Sequence, residues 1–372
     1  MNAESMPSKT FPVDQRKGDV YMNTMRRKGP RGRGSALNPD NRFDALHLEL
    51  AEEEAAQRDA PTEFLRDDSQ TIIARNNSED LSFDASINPY RGCEHGCAYC
   101  YARTYHEYLG YSAGLDFETK ILVKERAAEL LEKELSSPRY VPRVLAMSGV
   151  TDPYQPVERE RKITRGCLEV LARFRNPVVV ISKNALVTRD LDFLRELAAF
   201  DAVAVFSSIT SLDPKLARIL EPRASSPRSR LAAVRKLADA GVPVGVSAAP
   251  MIPGLNDHEL PRILEAAAEA GATFGFYTMV RLPGAVGPVF ENWLERHLPD
   301  RKQKVLDRIR ETHGGELNTT TPRERMRGKG GYAQQVRQMF KATARRAGIA
   351  GSPPPLKTDS FRRVLPGQGE LF

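Results

Sequence analysis

Three of the chain's four cysteines, Cys93, Cys97 and Cys100, stand within eight residues. They lie in the run Asn88-Pro-Tyr-Arg-Gly-Cys93-Glu-His-Gly-Cys97-Ala-Tyr-Cys100-Tyr-Ala-Arg103. Thiolates spaced C-x3-C-x2-C on one short loop can each bind one iron of a cubane iron–sulfur cluster, which leaves the fourth iron open to an exogenous ligand. Gly92 and Gly96 give the loop freedom for tight turns, and its N–H groups can soften the charge on sulfur. The alternative is structural zinc, with His95 or His106 as fourth ligand. Zinc sites usually pair two close ligands with two distant ones, whereas Cys167 falls mid-helix, as a small buried apolar residue would. An electron-transfer cluster would want a fourth cysteine. Four cysteines, so unevenly placed, make no disulfide framework and point to a reducing, cytoplasmic setting.

Such a loop needs a scaffold. From about residue 117 the sequence alternates amphipathic helices with short apolar runs. Helical spacing is expected over Phe117–Leu135, Ile163–Phe174, Leu191–Phe200, Leu231–Ala240 and Glu259–Ala270, with Gly241 and Gly271 as stops. Strands are expected at Val144–Met147, Val178–Ile181, Ala202–Ile209, Val244–Ala248 and Phe274–Val280. A first strand near Phe83–Asn88 brings the count to about six repeats. The fold class is therefore α/β, a partial (β/α)6 TIM-like barrel with a parallel sheet. Reactive groups of such folds sit on loops at the C-terminal ends of strands, where the cysteine run follows the first strand. No Gly-x-Gly-x-x-Gly or Walker-type phosphate loop is present.

Hydrophobic residues at 41% and charged residues at 28% of 372 suit a globular chain with a substantial core. No apolar run approaches the ~20 residues of a membrane span, and the N-terminus lacks the apolar core of a secretory signal. The net charge of +7 is uneven: +5 over residues 1–34, −9 over 35–90 and +9 over 301–347. The expected organisation is a disordered basic tail (1–40), an acidic N-terminal extension (41–80), the partial barrel (81–288), a helical basic extension (289–350) and a flexible tail (351–372). The basic segments suit attraction to nucleic acid, since clustered cations gain from counterion release; the alternative is solvated charge.

The cysteine spacing, with Tyr99 before the last cysteine, resembles the signature of the radical S-adenosylmethionine (SAM) superfamily. That resemblance implies a partial barrel holding a 4Fe–4S cluster, with SAM chelating the open iron. One-electron reduction, from a donor such as flavodoxin or ferredoxin, then yields a 5′-deoxyadenosyl radical that abstracts hydrogen from a substrate. More narrowly, the chain resembles the bacterial branch related to spore photoproduct lyase and labelled DNA repair photolyase-like. The match runs from about Arg42 to the C-terminus. It rests on Ser86–Cys97, Leu115-Asp-Phe-Glu-Thr-Lys120, Thr151-Asp-Pro-Tyr-Gln-Pro156, Arg189-Asp-Leu-Asp192, Glu221-Pro-Arg223 and Arg325-Met-Arg-Gly328.

The resemblance places the SAM amino-group contacts on Ser148-Gly149-Val150-Thr151-Asp152, whose carbonyl, hydroxyl and carboxylate groups can accept from an ammonium. It places Arg223 on the SAM carboxylate, a planar contact suited to a guanidinium, and Ile252 in the adenine pocket. Lys183, closing the third strand, could reach a carboxylate or phosphate. Ser207 and Ser208 interrupt an apolar strand, where Ser208 could serve the ribose or carboxylate. Asp152-Pro153 would also make an ordinary turn, and the Pro253-Gly254 turn before Asn256 or Asp257 would cap a helix. One departure is clear. The lyase carries a hydrogen-donating cysteine three residues before this aspartate, where the present chain has Gly149. Tyr99, Tyr101, Tyr105 and Tyr154 are the alternative donors. The ending Gln368-Gly-Glu-Leu-Phe372 resembles the pentapeptide by which bacterial repair proteins dock on the DNA sliding clamp. The reading is a radical SAM enzyme acting on an unknown substrate, with nucleic acid favoured. The alternatives are a non-catalytic iron–sulfur or zinc module that binds nucleic acid, and radical modification of a protein or small molecule.

Overall fold

The computed structural model describes residues 30, 32–43, 60–81 and 83–364. The basic run Arg26–Arg31, apart from Pro30, and the ending Gln368–Phe372 lie outside them. Ten strands are found among the described residues: β1 Glu63–Arg66, β2 Ile73–Arg75, β3 Ala85–Ile87, β4 Tyr90–Arg91, β5 Lys120–Val123, β6 Leu145–Met147, β7 Val178–Ser182, β8 Val203–Ser208, β9 Val244–Met251 and β10 Phe274–Met279. One sheet has the order β10-β9-β8-β7-β6-β3-β2. Its six strands from β3 to β10 are parallel, and β2 lies antiparallel on the edge of β3. The sheet is open, with no pairing between β2 and β10 among the described residues. This is the expected (β/α)6 order.

Helices Ile163–Phe174, Leu191–Ala198, Pro227–Asp239 and Leu260–Glu269 cover one face. Leu168, Leu171, Leu194, Leu197, Val234 and Ile263 meet Val178, Val180, Val203, Val205 and Val246 in a continuous core. Each such side chain contributes roughly 1.5–3 kcal/mol when fully buried. The other face carries Ala204, Phe206 and Phe274, with Val179, Ile181, Phe276 and Leu356 packed against them. Gly245 makes room there, since a Cβ would lie 2.2 Å from the Phe274 ring.

The stripe over Phe117–Leu135 is not one helix. It divides into Asp116–Thr119, β5 and Ala127–Ser136. Lys120-Ile-Leu-Val123 pairs with β1 on one side and β4 on the other, and these ladders from distant segments override helical spacing. The basic tail also ends earlier than expected. Residues 32–43 pack on the body, with Arg33, Ser35 and Asn41 buried. Residues 351–364 are likewise held: Lys357 N donates to Asp201 O at 3.0 Å and Arg362 N to Phe174 O at 2.9 Å.

Towards the C-terminus the chain forms the helices Val286–His297, Pro299–Thr312 and Gly330–Ala347. Trp293, fully buried, donates from Nε1 to Ile219 O at 2.9 Å. Residues between the last two of these helices lace the two sheet edges together. Arg325 pairs with Asp80 of the β2–β3 loop, while Arg327 Nη1 donates to Tyr277 O of β10 at 3.2 Å.

Candidate active site

The cysteine loop follows β3 and the short strand β4 and runs into the turn of helix at Tyr101–Arg103. Cys93 and Cys97 are buried, Cys100 is half-buried, and none forms a disulfide. Cys93 N donates to Phe117 O at 2.8 Å, and Cys100 N to Cys97 O at 3.2 Å. Gly92 and Gly96 have φ of +80° and +68°. A Cβ at Gly96 would lie 2.8 Å from Glu118 Oε2, so both backbone conformation and space require glycine there.

The β6 loop packs behind the cysteines. Thr151 Oγ1 donates to Gly92 O at 2.6 Å, and Gln155 Nε2 donates to Thr151 Oγ1 at 3.0 Å. Glu94 N donates to Gln155 Oε1 at 2.9 Å, and Glu94 Oε2 accepts from Val157 N at 2.8 Å. Asp152 accepts from Ser182 Oγ at 2.8 Å, Lys183 N at 2.7 Å and Tyr154 N at 2.9 Å. His95 Nδ1 lies 3.4 Å from Asp152 Oδ2, an ion-pair distance. Burial opposes a charge on His95, but the Asp152 carboxylate and Cys93 outweigh it and lift the imidazole to about 10. Burial likewise works against the Asp152 carboxylate, and His95 outweighs it to hold that group below its usual range. Asp152 is thus committed within the protein, joining β7 to the cysteine loop.

A second polar group lies under Cys97. Tyr99 OH donates to Glu221 Oε1, which also accepts from Thr210 Oγ1 at 2.6 Å. Arg230 pairs with Glu221 and donates from Nη1 to Ser208 O at 2.8 Å. Lys183 turns inward: Nζ donates to Ala249 O at 3.0 Å and lies 3.4 Å from Glu221 Oε1. Burial pushes the Cys97 thiol up and Glu221 adds to this, while Lys183 opposes it. Burial and Cys93 push Cys100 up to about 11, against Arg103 and Lys183. Lys183 thus favours the thiolate of both cysteines, and Arg103 that of Cys100.

Of the expected residues, Ser148, Lys183, Ser208 and Ile252 lie at or just past the C-terminal ends of β6, β7, β8 and β9. Tyr99 and Ile252 share an apolar cluster with Cys97. Tyr101 OH donates to Gly149 O at 2.9 Å, and the Arg281 guanidinium lies 4.2 Å from the Tyr101 ring centre. Gly149 has φ +125° with nothing within 4 Å of a Cβ position. Ser148 Oγ turns back to Thr151 O at 3.4 Å. Arg223 N donates to His95 O at 3.2 Å, and Arg223 Nη1 lies 3.1 Å from Glu94 Oε1. Tyr154 sits away from the thiols, donating to Asp190 at 3.1 Å. Reading the sequence assigned no role to Arg103, Glu118, Thr210 or Arg230, although Arg103 closes the cysteine run and Glu118 lies in the Leu115–Lys120 segment; Glu221, Glu94 and His95 stood beside assigned residues. Among the described residues no three His, Cys, Asp or Glu groups converge on a single-ion site. His106 lies between Tyr111 and Phe117.

A family model described as the radical SAM superfamily matches residues 87–267. An uncharacterised protein of Mycobacterium tuberculosis is 32% identical over 300 residues, covering 80% of this chain and 84% of that protein. The chain belongs to the radical SAM superfamily, and membership implies a 4Fe–4S cluster and SAM. Within the superfamily its fold is that of spore photoproduct lyase. A cysteine-to-serine variant of that lyase superposes with a TM-score of 0.57 at 18% identity, covering 83% of this chain and 87% of the lyase. A form with bound AdoMet and dinucleoside spore photoproduct gives 0.54 at 17%, with the same coverage.

Proposed function

We propose that this chain is an enzyme that holds a 4Fe–4S cluster on Cys93, Cys97 and Cys100, with SAM on the fourth iron, and acts on nucleic acid. One observation carries the reading: three unbonded thiols share one loop at the C-terminal ends of the parallel strands, while Cys167 lies apart in the core behind the sheet. The donor set fits an anionic cluster, because the charge of Lys183 favours the thiolate forms of Cys97 and Cys100, and that of Arg103 the thiolate of Cys100. Bound there, cluster and SAM supply a 5′-deoxyadenosyl radical able to take hydrogen from carbon. The chain's own residues bind and orient. Carbonyls and hydroxyls of Ser148, Gly149 and Thr151 receive the SAM ammonium, with Asp152 holding that loop from behind. Arg223, about a third exposed, keeps Nε and Nη2 for the carboxylate. Ser208 faces the ribose, and Ile252 with Tyr99 walls the adenine.

Gly149 leaves no side chain where the lyase branch has its donor cysteine, and Tyr101 is the hydrogen donor in its place. Three observations support nucleic acid: the +7 charge, the basic segments, and the dinucleoside bound by the fold's relative. An acidic flavodoxin or ferredoxin supplies the electron, and Gln368–Phe372 docks on a sliding clamp.

The test uses anaerobically reconstituted, reduced protein. SAM converts to 5′-deoxyadenosine in wild type and not in Cys97→Ala. Zinc retained in place of any cluster would sink the reading. A nucleic-acid-derived product that falls steeply with added salt is the expected second result; a product independent of nucleic acid would move the substrate to a protein or small molecule.

A further inference from the structure

Resting on the cluster reading, we infer that Arg33–Asn38 is a built part of the cysteine site, and that it controls how firmly the cluster is retained through the buried pair Arg103–Glu118. The link is continuous. Arg103, with no exposed surface, donates from Nε and Nη2 to Cys97 O at 3.0 and 2.9 Å, and from Nη1 to Gly114 O at 2.7 Å. Its Nη2 also pairs with Glu118 Oε1 at 2.5 Å. The same carboxylate receives the N-terminal strap: Ser35 N donates to Oε1 at 2.7 Å and Gly34 N to Oε2 at 2.9 Å. Arg33 Nη1 donates to Glu118 O at 2.7 Å. Leu115 N donates to Leu37 O at 2.8 Å, and Asn38 Nδ2 to Asp116 Oδ1 at 3.0 Å. The segment Leu115-Asp-Phe-Glu-Thr-Lys120 is thus the strap's receptor.

Contact with the cysteine loop itself is backbone on backbone. A Cβ at Gly34 would lie 1.7 Å from Gly96 O, one residue before Cys97. Arg296 Nη2 closes over the outside, donating to Gly34 O at 2.7 Å. A carboxylate buried under this load and an arginine whose donors reach a cysteine carbonyl fix the sulfur-bearing backbone before any iron arrives. Groups that orient metal ligands in this way typically change metal affinity by about 10- to 100-fold when removed.

Gly34→Ala is the cleanest probe, since Gly34 carries no positive φ and only space forbids the methyl. Arg296→Met unclamps the strap from its half-exposed side without touching the core pair. Full-length wild type and both variants are reconstituted anaerobically, and iron release to a ferrous chelator is timed alongside bleaching of the 400 nm band. The expected result is iron loss faster by about 10- to 100-fold in Gly34→Ala, a smaller acceleration in Arg296→Met, and wild-type far-UV circular dichroism in both. Release at the wild-type rate from folded Gly34→Ala would overturn the inference. If Gly34→Ala does not fold, wild-type release from Arg296→Met overturns it. Failure of wild type to take up any cluster would instead sink the cluster reading, which separates the two.

Discussion

At the scale of single residues, Asp152 shows how a side chain can matter to a site without touching the chemistry. Three donors and one imidazolium converge on it. Replacement by asparagine puts an amide NH2 against donors and leaves the buried His95 charge unpartnered. Removing one member of a buried pair costs about 3–5 kcal/mol, so urea midpoints of Asp152→Asn should fall accordingly. Asp152→Asn combined with His95→Gln should recover part of the loss; a double variant as unstable as the sum would show the pair uncoupled. The three cysteines were plain from spacing alone. The residues around them were not: Arg103 and Glu118 stand fifteen positions apart in sequence, and each reads there as an ordinary surface charge. Burial turns them into a pair, and burial is set by the strap, which composition alone marks as a tail.

At the scale of elements, β-branched runs between amphipathic helices gave six parallel strands in their observed order, since period and punctuation are local. The failure at Phe117–Leu135 is instructive for the same reason: β5 exists because β1 and β4 flank it, and neither partner is visible from within the segment. The lacing of the open sheet was also hidden. Arg325 reaches Asp80, which is almost fully buried, and Ser78 Oγ at 2.7 Å. A double-mutant cycle on Arg325→Met and Asp80→Asn should return a coupling of about 1.5–3 kcal/mol, as for a charged hydrogen bond. Amide exchange in β2 and β10 should quicken in each single variant. Unchanged protection at both edges would mean the sheet is held by its helices alone.

At the scale of the whole molecule, buried histidine sets part of the acid response. Burial lowers His106 to about 4 from an ordinary value near 6.5. A folded-state value depressed in a base means that the unfolded chain takes up the proton first. Stability from this group is therefore intact above about pH 6.5 and is lost as pH falls toward 4. By pH 4.5 the loss is about 2–3 kcal/mol. His106→Phe, which keeps a ring beside Phe117, should flatten that limb of a stability–pH curve. An identical limb would assign acid sensitivity to the carboxylates. No described helix is long and apolar enough to cross a membrane.

The path of residues 350–364 has a consequence for the order in which the molecule is completed. This stretch passes beneath the starts of β10, β8 and β7, with Ala350 bonded to Gly275, Lys357 to Asp201 and Arg362 to Phe174. Leu356 packs with Phe206 and Phe274, so the segment covers that face of the sheet near the strand starts. On a ribosome it emerges after every strand has been made and after the cysteine loop by some 250 residues. A nascent chain thus has its thiols in place before the Ala204–Phe206–Phe274 face of the sheet is covered at the strand starts.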